Sequence, residues 1–225
     1  MASDWIDRLE RRFEDWHLPQ LALFIVGMNA AVYILCVIRP EFRRMLELDP
    51  ALILRGEVWR TLTFLFIPPM VSPLWMLFWL YLLFIYAQAL EREWGDFRFN
   101  LYYGIGAAAT IAASLLLRVG LSNMTLNTGI FLAFAALYPD FELLLFFILP
   151  VKVKWLAYFA WGGIVLSFLG GSWITRIALI AGLINYALFF GRRHWEDVQF
   201  WLQVRRNRRR HDKAGKKDDD DSPPT

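Results

Sequence analysis

The sequence predicts an all-α membrane protein with six transmembrane helices, on the strength of three observations. Hydrophobic residues make up 57% of the 225-residue chain and charged residues only 20%, a balance shifted toward lipid from that of globular proteins. Six windows of 15 to 30 residues contain no Lys, Arg, Asp or Glu, which excludes an ordinary cytosolic enzyme. Apolar residues run continuously through these windows, whereas the strands of a membrane barrel would show alternation. The windows are 21–38, 61–90, 99–117, 119–139, 155–175 and 177–191.

The windows place the spans near residues 21–38, 72–90, 99–117, 125–138, 155–170 and 174–190. A helix crosses the roughly 30 Å hydrocarbon core with about 20 residues. The fourth span would rise only about 21 Å before Pro139. We therefore expect this short helix, which is rich in small and polar residues, to be enclosed by its neighbours.

The distribution of basic residues predicts that both termini are cytoplasmic. With six spans, 17 of the 24 Lys and Arg residues lie on the side of the termini, as the positive-inside rule requires. The excess comes entirely from the C-terminal tail, because the remaining basic residues divide equally between the two sides. The expected location is a bacterial inner membrane, and the basic first loop on the outer side requires a local explanation.

The flanking segments predict a division into four regions. Residues 1–20 form an amphipathic cytoplasmic segment on the membrane surface or an ordinary solvated helix. Residues 21–191 form the membrane domain, 192–210 a basic amphipathic juxtamembrane helix, and 211–225 a disordered tail. The arginines of the third region suit anionic lipid headgroups or a docking partner, or act only as a topology signal. They are Arg205, Arg206, Arg208, Arg209 and Arg210.

The composition also argues against several other classes of site. The lone Cys36 cannot form an intrachain disulfide, and no CxxC or histidine-rich cluster predicts a metal site. The histidines, His17, His194 and His211, all lie outside the spans. We expect no metal, no cofactor and no nucleic-acid partner.

Four motifs follow one another in an order that resembles the rhomboid family. The first loop contains EVWRTLTF (57–64), and the second span is followed by EREWGDF (91–97). The fourth span contains LNTGIF (126–131) and the sixth ALIAGLINY (178–186). The resemblance covers residues 20–191 and extends to derlins, relatives without protease activity. It implies a six-helix rhomboid-like bundle with a membrane-embedded first loop.

The first-loop motif has a physical rationale at the membrane interface. Glu57 and Arg60 would keep their charges paired within the loop, and the Trp59 indole would anchor it at the interface. This arrangement would explain basic residues on the outer side. Alternatively, Arg60 is a snorkelling flank of the second span.

The other motif residues suit helix packing. Gly129 and Gly182 would allow the fourth and sixth helices to approach closely, as small residues do in lipid. Glu91, four residues before Gly95, would cap or pair near the start of the third helix, or lie at a solvated helix end.

The resemblance also identifies the positions where a rhomboid protease carries its chemistry. The serine position holds Thr128 and the histidine position Leu179, while the oxyanion-side positions of the second helix fall on Trp75 and Trp79. Because no histidine lies in a span, Thr128 has no base to activate it. The resemblance therefore implies a pseudoprotease and not an enzyme.

Polar side chains nonetheless remain near these positions. Thr125, Asn127 and Thr128 on the fourth helix and Asn185 on the sixth would line a cavity for a client, or hydrogen-bond helices to one another. The second interpretation is favoured for Asn185.

We expect the protein to bind the lipid bilayer and transmembrane client proteins, as an adaptor or scaffold in membrane protein quality control. Clients would enter between the second and fifth helices, and a membrane-anchored AAA+ protease is a candidate partner for the basic tail. Two alternatives remain. One is a residual intramembrane hydrolase that uses Thr128, and the other is a derlin-like element that thins the bilayer or assists retrotranslocation.

Overall fold

The structure is a computed structural model, which describes residues 4–13, 17–145 and 149–220. Most of these residues are helical, and the elements follow in chain order. They are α1 (Asp4–Phe13), α2 (Leu21–Ile38), α3 (Glu41–Leu46), α4 (Pro50–Ile53), α5 (Arg60–Thr63), a 3-10 turn (Phe64–Phe66), α6 (Pro73–Trp94), α7 (Asp96–Leu117), α8 (Met124–Leu137), β1 (Glu142–Leu145), β2 (Leu149–Lys152), α9 (Val153–Gly170) and α10 (Trp173–Asp220).

Five helices in the described ranges are long and apolar enough to cross a membrane. They are α2, α6, α7, α9 and the stretch Trp173–Arg192 of α10, with mean hydropathies between 1.4 and 2.5. This confirms a multi-pass helical membrane protein. The sixth predicted span corresponds in position to this part of α10, and the fourth to the shorter apolar helix α8.

The short helix α8 packs among longer helices. It contacts α6, α7 and α9, while α6 also packs against α2 and α7. Leu126, Ile130, Ala133 and Phe134 on α8 are at most 1% exposed. Because α8 reaches its neighbours on several sides, its backbone and polar side chains are largely kept away from lipid.

Small residues allow close contacts of α10 with α7 and α8. A Cβ added at Gly182 would overlap the side chain of Thr125, and one added at Gly106 would overlap Leu126 and Asn185. The hydroxyl of Tyr102 on α7 donates a hydrogen bond of 2.8 Å to the carbonyl of Gly129 on α8. Packing of small residues and interhelical hydrogen bonds are the forces that associate helices in lipid.

The chain divides into two compact units, residues 1–187 and 188–225. The second unit contains the later part of α10, whose backbone is helical to Asp220. The disorder predicted for residues 211–225 stays a prediction, and residues 221–225 lie outside the described ranges.

A two-stranded hairpin joins α8 to α9, which the expectation of an all-α fold missed. Strands β1 and β2 are antiparallel, with Leu143 opposite Val151. Pro139 follows the end of α8, and Pro150 lacks the N–H that a helix interior needs. Glu142–Leu145 and Leu149–Lys152 pair as strands, a result that the charge-free windows alone did not indicate.

Asp140, at the start of the hairpin connection, provides a pH-dependent contact. Its carboxylate accepts hydrogen bonds from Lys154 Nζ at 2.7 Å and Lys152 Nζ at 3.3 Å. The bond from Lys154, followed by that from Lys152, lowers the pKa of Asp140 below its usual value. The carboxylate is fully ionised, and its contribution to stability complete, above the pKa of the unfolded chain. That contribution is lost as the pH falls through the lower pKa of the folded state.

We expect NMR titration of Asp140 to give a pKa below that of an unperturbed aspartate, and Lys154→Gln to raise it. An unchanged pKa in Lys154→Gln would contradict the assigned contact.

The N-terminal helix α1 docks on the beginning of α7. Arg98 donates to Glu10 Oε2 through Nε at 2.8 Å and through Nη2 at 2.6 Å, and to Asp7 Oδ1 at 3.1 Å. Ile6 is only 2% exposed. Asp7 and Glu10 of α1 thus contact the first turn of α7.

We expect Arg98→Gln to release α1, because both carboxylates lose their cationic partner. The groups are about one-third exposed, so the change in global stability should stay below about 1 kcal/mol. Hydrogen–deuterium exchange of residues 4–13 should accelerate several-fold, whereas Arg92→Gln, at an exposed position on α6, should leave it unchanged. Equal exchange in both variants would contradict the docking.

Candidate functional site

The first loop is organised around the buried guanidinium of Arg60. Its Nη1 donates to the carbonyl oxygens of Arg44 at 2.6 Å and Glu47 at 2.9 Å. Its Nε and Nη2 both lie 2.7 Å from Glu57 Oε2, and the residue is 4% exposed. Arg60 therefore joins the end of α3 to α5 and satisfies carbonyls that a helix leaves open.

Neighbouring residues of the motif complete this loop. Thr63 Oγ1 donates to the carbonyl of Leu46 at 2.9 Å, and Trp59 is half exposed. The buried, paired charge beside an exposed indole is the geometry that a loop at a membrane interface requires.

A large cavity lies between this loop and the connection from α7 to α8. Its volume is about 910 Å³, and its wall includes polar, charged and apolar side chains. Asn123 links the two segments, because its Nδ2 donates to the carbonyls of Leu65 at 2.8 Å and Ile67 at 3.1 Å. The charged residues of the wall are Arg43, Arg44, Glu47, Asp49 and Arg118.

A smaller cavity of about 300 Å³ lies among α6, α8 and α9. The two cavities adjoin at Met124 and Asn127, which line both. No Lys, Arg, Asp, Glu or His is among the residues that line the smaller one. The other lining residues are Trp79, Leu82, Leu83, Tyr86, Thr128, Phe131, Leu156 and Ala160.

Two polar side chains of α8 face the smaller cavity. The Thr128 hydroxyl donates to the carbonyl of Met124 at 2.9 Å, so its proton is held within the helix. The Oδ1 atom of Asn127 is buried and has no hydrogen-bond partner among the described residues. A buried acceptor without a donor costs free energy.

The four positions identified by resemblance to the protease centre have different surroundings. Trp79 and Thr128 line the smaller cavity. Trp75, one turn before Trp79, is 46% exposed and lines neither cavity. Leu179 is half-buried on α10 and also lines neither cavity.

Of the four polar residues proposed to line a client cavity, Asn127 and Thr128 do so, whereas Thr125 and Asn185 line neither cavity. Thr125 packs against Gly182, and Asn185 is fully buried with its Oδ1 accepting from the N–H of Tyr186 at 2.9 Å. For these two residues the structure favours the alternative of contacts between helices. They lie where helices pack closely.

Glu91 caps a different helix from the one that the sequence indicated. Its Oε1 accepts a hydrogen bond from the N–H of Ala22 at 3.3 Å, at the N-terminus of α2. A carboxylate there is favoured by the free N–H groups and the helix dipole. The prediction of a cap on the third helix was wrong. The carboxylate instead contacts a residue 69 positions away in the sequence, which a local motif does not indicate. Gly95 separates α6 from α7 with φ of 81°, a value that suits glycine.

Arg118 lines the larger cavity but was not among the residues predicted to form a site. Its position could have indicated a role, because it is the one charged residue between the charge-free windows 99–117 and 119–139. It occupies the left-handed C-cap of α7 with φ of 54°. The side chains of the five tail arginines, from Arg205 to Arg210, lie outside the described part of the structure.

The described residues contain no group of three or more His, Cys, Asp and Glu side chains that could hold a metal ion. Comparison with known protein families found no matching model, and comparison with curated proteins found no match.

Proposed function

We propose that this chain is a rhomboid-like pseudoprotease with six spans and cytoplasmic termini, which binds transmembrane segments of other membrane proteins without cleaving them. The main support for client binding is the smaller cavity. It lies between α6 and α9, the helices that correspond to the second and fifth predicted spans, and aromatic and aliphatic side chains dominate its wall. Such a wall suits the apolar side chains of a transmembrane helix.

The surroundings of Thr128 support binding over hydrolysis. Nucleophilic catalysis by a hydroxyl requires a base within hydrogen-bond reach, yet this hydroxyl donates to a backbone carbonyl and its cavity has no ionisable side chain apart from the phenol of Tyr86. Loss of a base commonly removes orders of magnitude in rate.

The α9 side of the cavity is suited to admitting a segment from the bilayer. Only Val153 and Ala157 of α9 are buried, so this helix is attached to the rest of its unit over a small area. A weakly attached helix can move without breaking a large core. As part of the same proposal, bound clients are delivered to a partner such as a membrane-anchored AAA+ protease.

Labelling with a fluorophosphonate probe tests the non-hydrolytic part. We expect the wild type, Thr128→Ala and the control Thr61→Ala to show the same background labelling. Labelling that disappears only in Thr128→Ala would establish a residual hydrolase and contradict the proposal. Co-purification under mild extraction from native membranes should recover stable protein partners, and a chain that emerges alone would count against client binding.

A second function, local thinning of the bilayer, would require the short helix α8 to contact lipid, although half of its residues are buried and it packs against α6, α7 and α9. Its 14 residues span about 21 Å against a hydrocarbon core of about 30 Å. Such mismatch is relieved by deforming the bilayer or by enclosing the helix. A density map of the protein in lipid should show a locally thinner belt beside α8 if it deforms the bilayer, and a uniform belt if its neighbours enclose it.

A further inference from the structure

The larger cavity carries an unbalanced positive charge. Five charged residues line it, but three of them have partners within the loop. Arg43 donates to Glu47 Oε1 at 3.1 Å and to the carbonyl of Pro68 at 3.3 Å. Asp49 accepts from the N–H groups of Ala51 and Leu52 at the start of α4.

The two remaining cations are Arg44 and Arg118. Within the described ranges, no hydrogen bond or ion pair engages either guanidinium group, and both residues are exposed. They come from different segments, since Arg44 belongs to α3 and Arg118 is the C-cap of α7. Guanidinium groups bind phosphate oxygens with geometric specificity, so two of them around one cavity favour a phosphate-bearing anion.

The route out of this cavity is apolar. At Met124 and Asn127 it adjoins the smaller cavity, where Trp79, Phe131 and Leu156 provide hydrocarbon and aromatic surface. An occupant that matches the whole path has an anionic phosphate and an apolar chain.

We propose that the two cavities together bind one anionic glycerophospholipid. The phosphate binds the guanidinium groups of Arg44 and Arg118, and one acyl chain passes Met124 into the smaller cavity. A volume of about 910 Å³ is within the range of sites that enclose small molecules. The inference goes beyond the proposed function, because lipid retention requires no client.

Native mass spectrometry of the full-length, delipidated protein tests this site. With phosphatidylglycerol and phosphatidylcholine of identical chains, we expect one phosphatidylglycerol per chain, bound at least tenfold more tightly. The double variant Arg44→Gln/Arg118→Gln should lose this preference. The matched control Arg55→Gln should keep it, because Arg55 is an exposed residue of the same loop that lines neither cavity.

Two further arms separate the lipid from other occupants. Ala160→Trp, which fills the smaller cavity, should weaken long-chain phosphatidylglycerol at least tenfold but leave a dihexanoyl analogue unchanged. Equal binding of the two long-chain lipids, or an unchanged preference in the double variant, would overturn the inference. Retention of inorganic phosphate with no preference for phosphatidylglycerol would also overturn it, by showing that a soluble anion is the ligand. Because no client is present, failure here leaves the client proposal to its own tests.

Discussion

Replacing Arg60 with leucine is expected to lower the free energy of unfolding by about 1–3 kcal/mol, the cost of leaving its hydrogen-bond acceptors without a donor. The substitution removes the donor from the carbonyls of Arg44 and Glu47 and the cation from the Glu57 carboxylate. The Glu57 side chain is about one-third exposed, so solvent offsets part of the loss. Because these contacts join α3 to α5, the first loop should lose its fold before the helices separate.

Reversible unfolding in detergent, followed by tryptophan fluorescence, measures this effect. The matched control Arg55→Gln removes an exposed arginine from the same loop and should change stability by less than about 0.5 kcal/mol. Arg60→Lys should fall between the two, since an ammonium retains the charge but not the planar fork. If Arg60→Leu were as stable as Arg55→Gln, the role assigned to the buried guanidinium would be wrong.

Replacing Gly182 with alanine is expected to destabilise the protein by about 1–3 kcal/mol, a cost typical of overpacking. The added Cβ would overlap the side chain of Thr125, so α8 and α10 would have to separate. Alanine normally favours a helix over glycine by about 1 kcal/mol. A loss of stability therefore reports the interhelical contact and not the propensity of the residue.

The same unfolding measurement, applied to Gly162→Ala, provides the control. Gly162 also lies within a long helix, but an added Cβ there meets nothing within 4 Å. We expect this variant to be neutral or slightly stabilised. Equal changes in the two variants would show that α8 and α10 are not held at the distance in the structure.

The helical framework was predictable from local sequence because charges cannot lie in lipid without cost. Charge-free windows placed α2 at residues 21–38, as observed, and placed α6, α7 and α9 within a few residues. They also placed the beginning of α10, although this helix continues to Asp220. The sequence also indicated that α8 is short, because Pro139 follows it. Hydrophobicity and prolines affect the structure locally, so their effects can be predicted at the positions where they occur.

The contacts between distant segments were not predictable. The Glu91 carboxylate accepts a hydrogen bond from the N–H of Ala22, 69 residues away. From the sequence alone, any of several helix N-termini would have suited this carboxylate. Thr125 and Asn127 are two residues apart, so they differ in direction on α8 and only packing shows which one faces a cavity. The pairing of β1 with β2 likewise depends on where α8 ends and α9 begins.

Site-specific photocrosslinking in native membranes tests most directly whether this fold binds transmembrane segments. A photoreactive phenylalanine derivative at Trp79, inside the smaller cavity, should give discrete adducts that mass spectrometry identifies as transmembrane segments of intact proteins. The same group at Phe159, which is 83% exposed on α9, should give no discrete protein adduct. Identical adduct patterns at the two positions, or cleaved client fragments at Trp79, would contradict non-hydrolytic client binding.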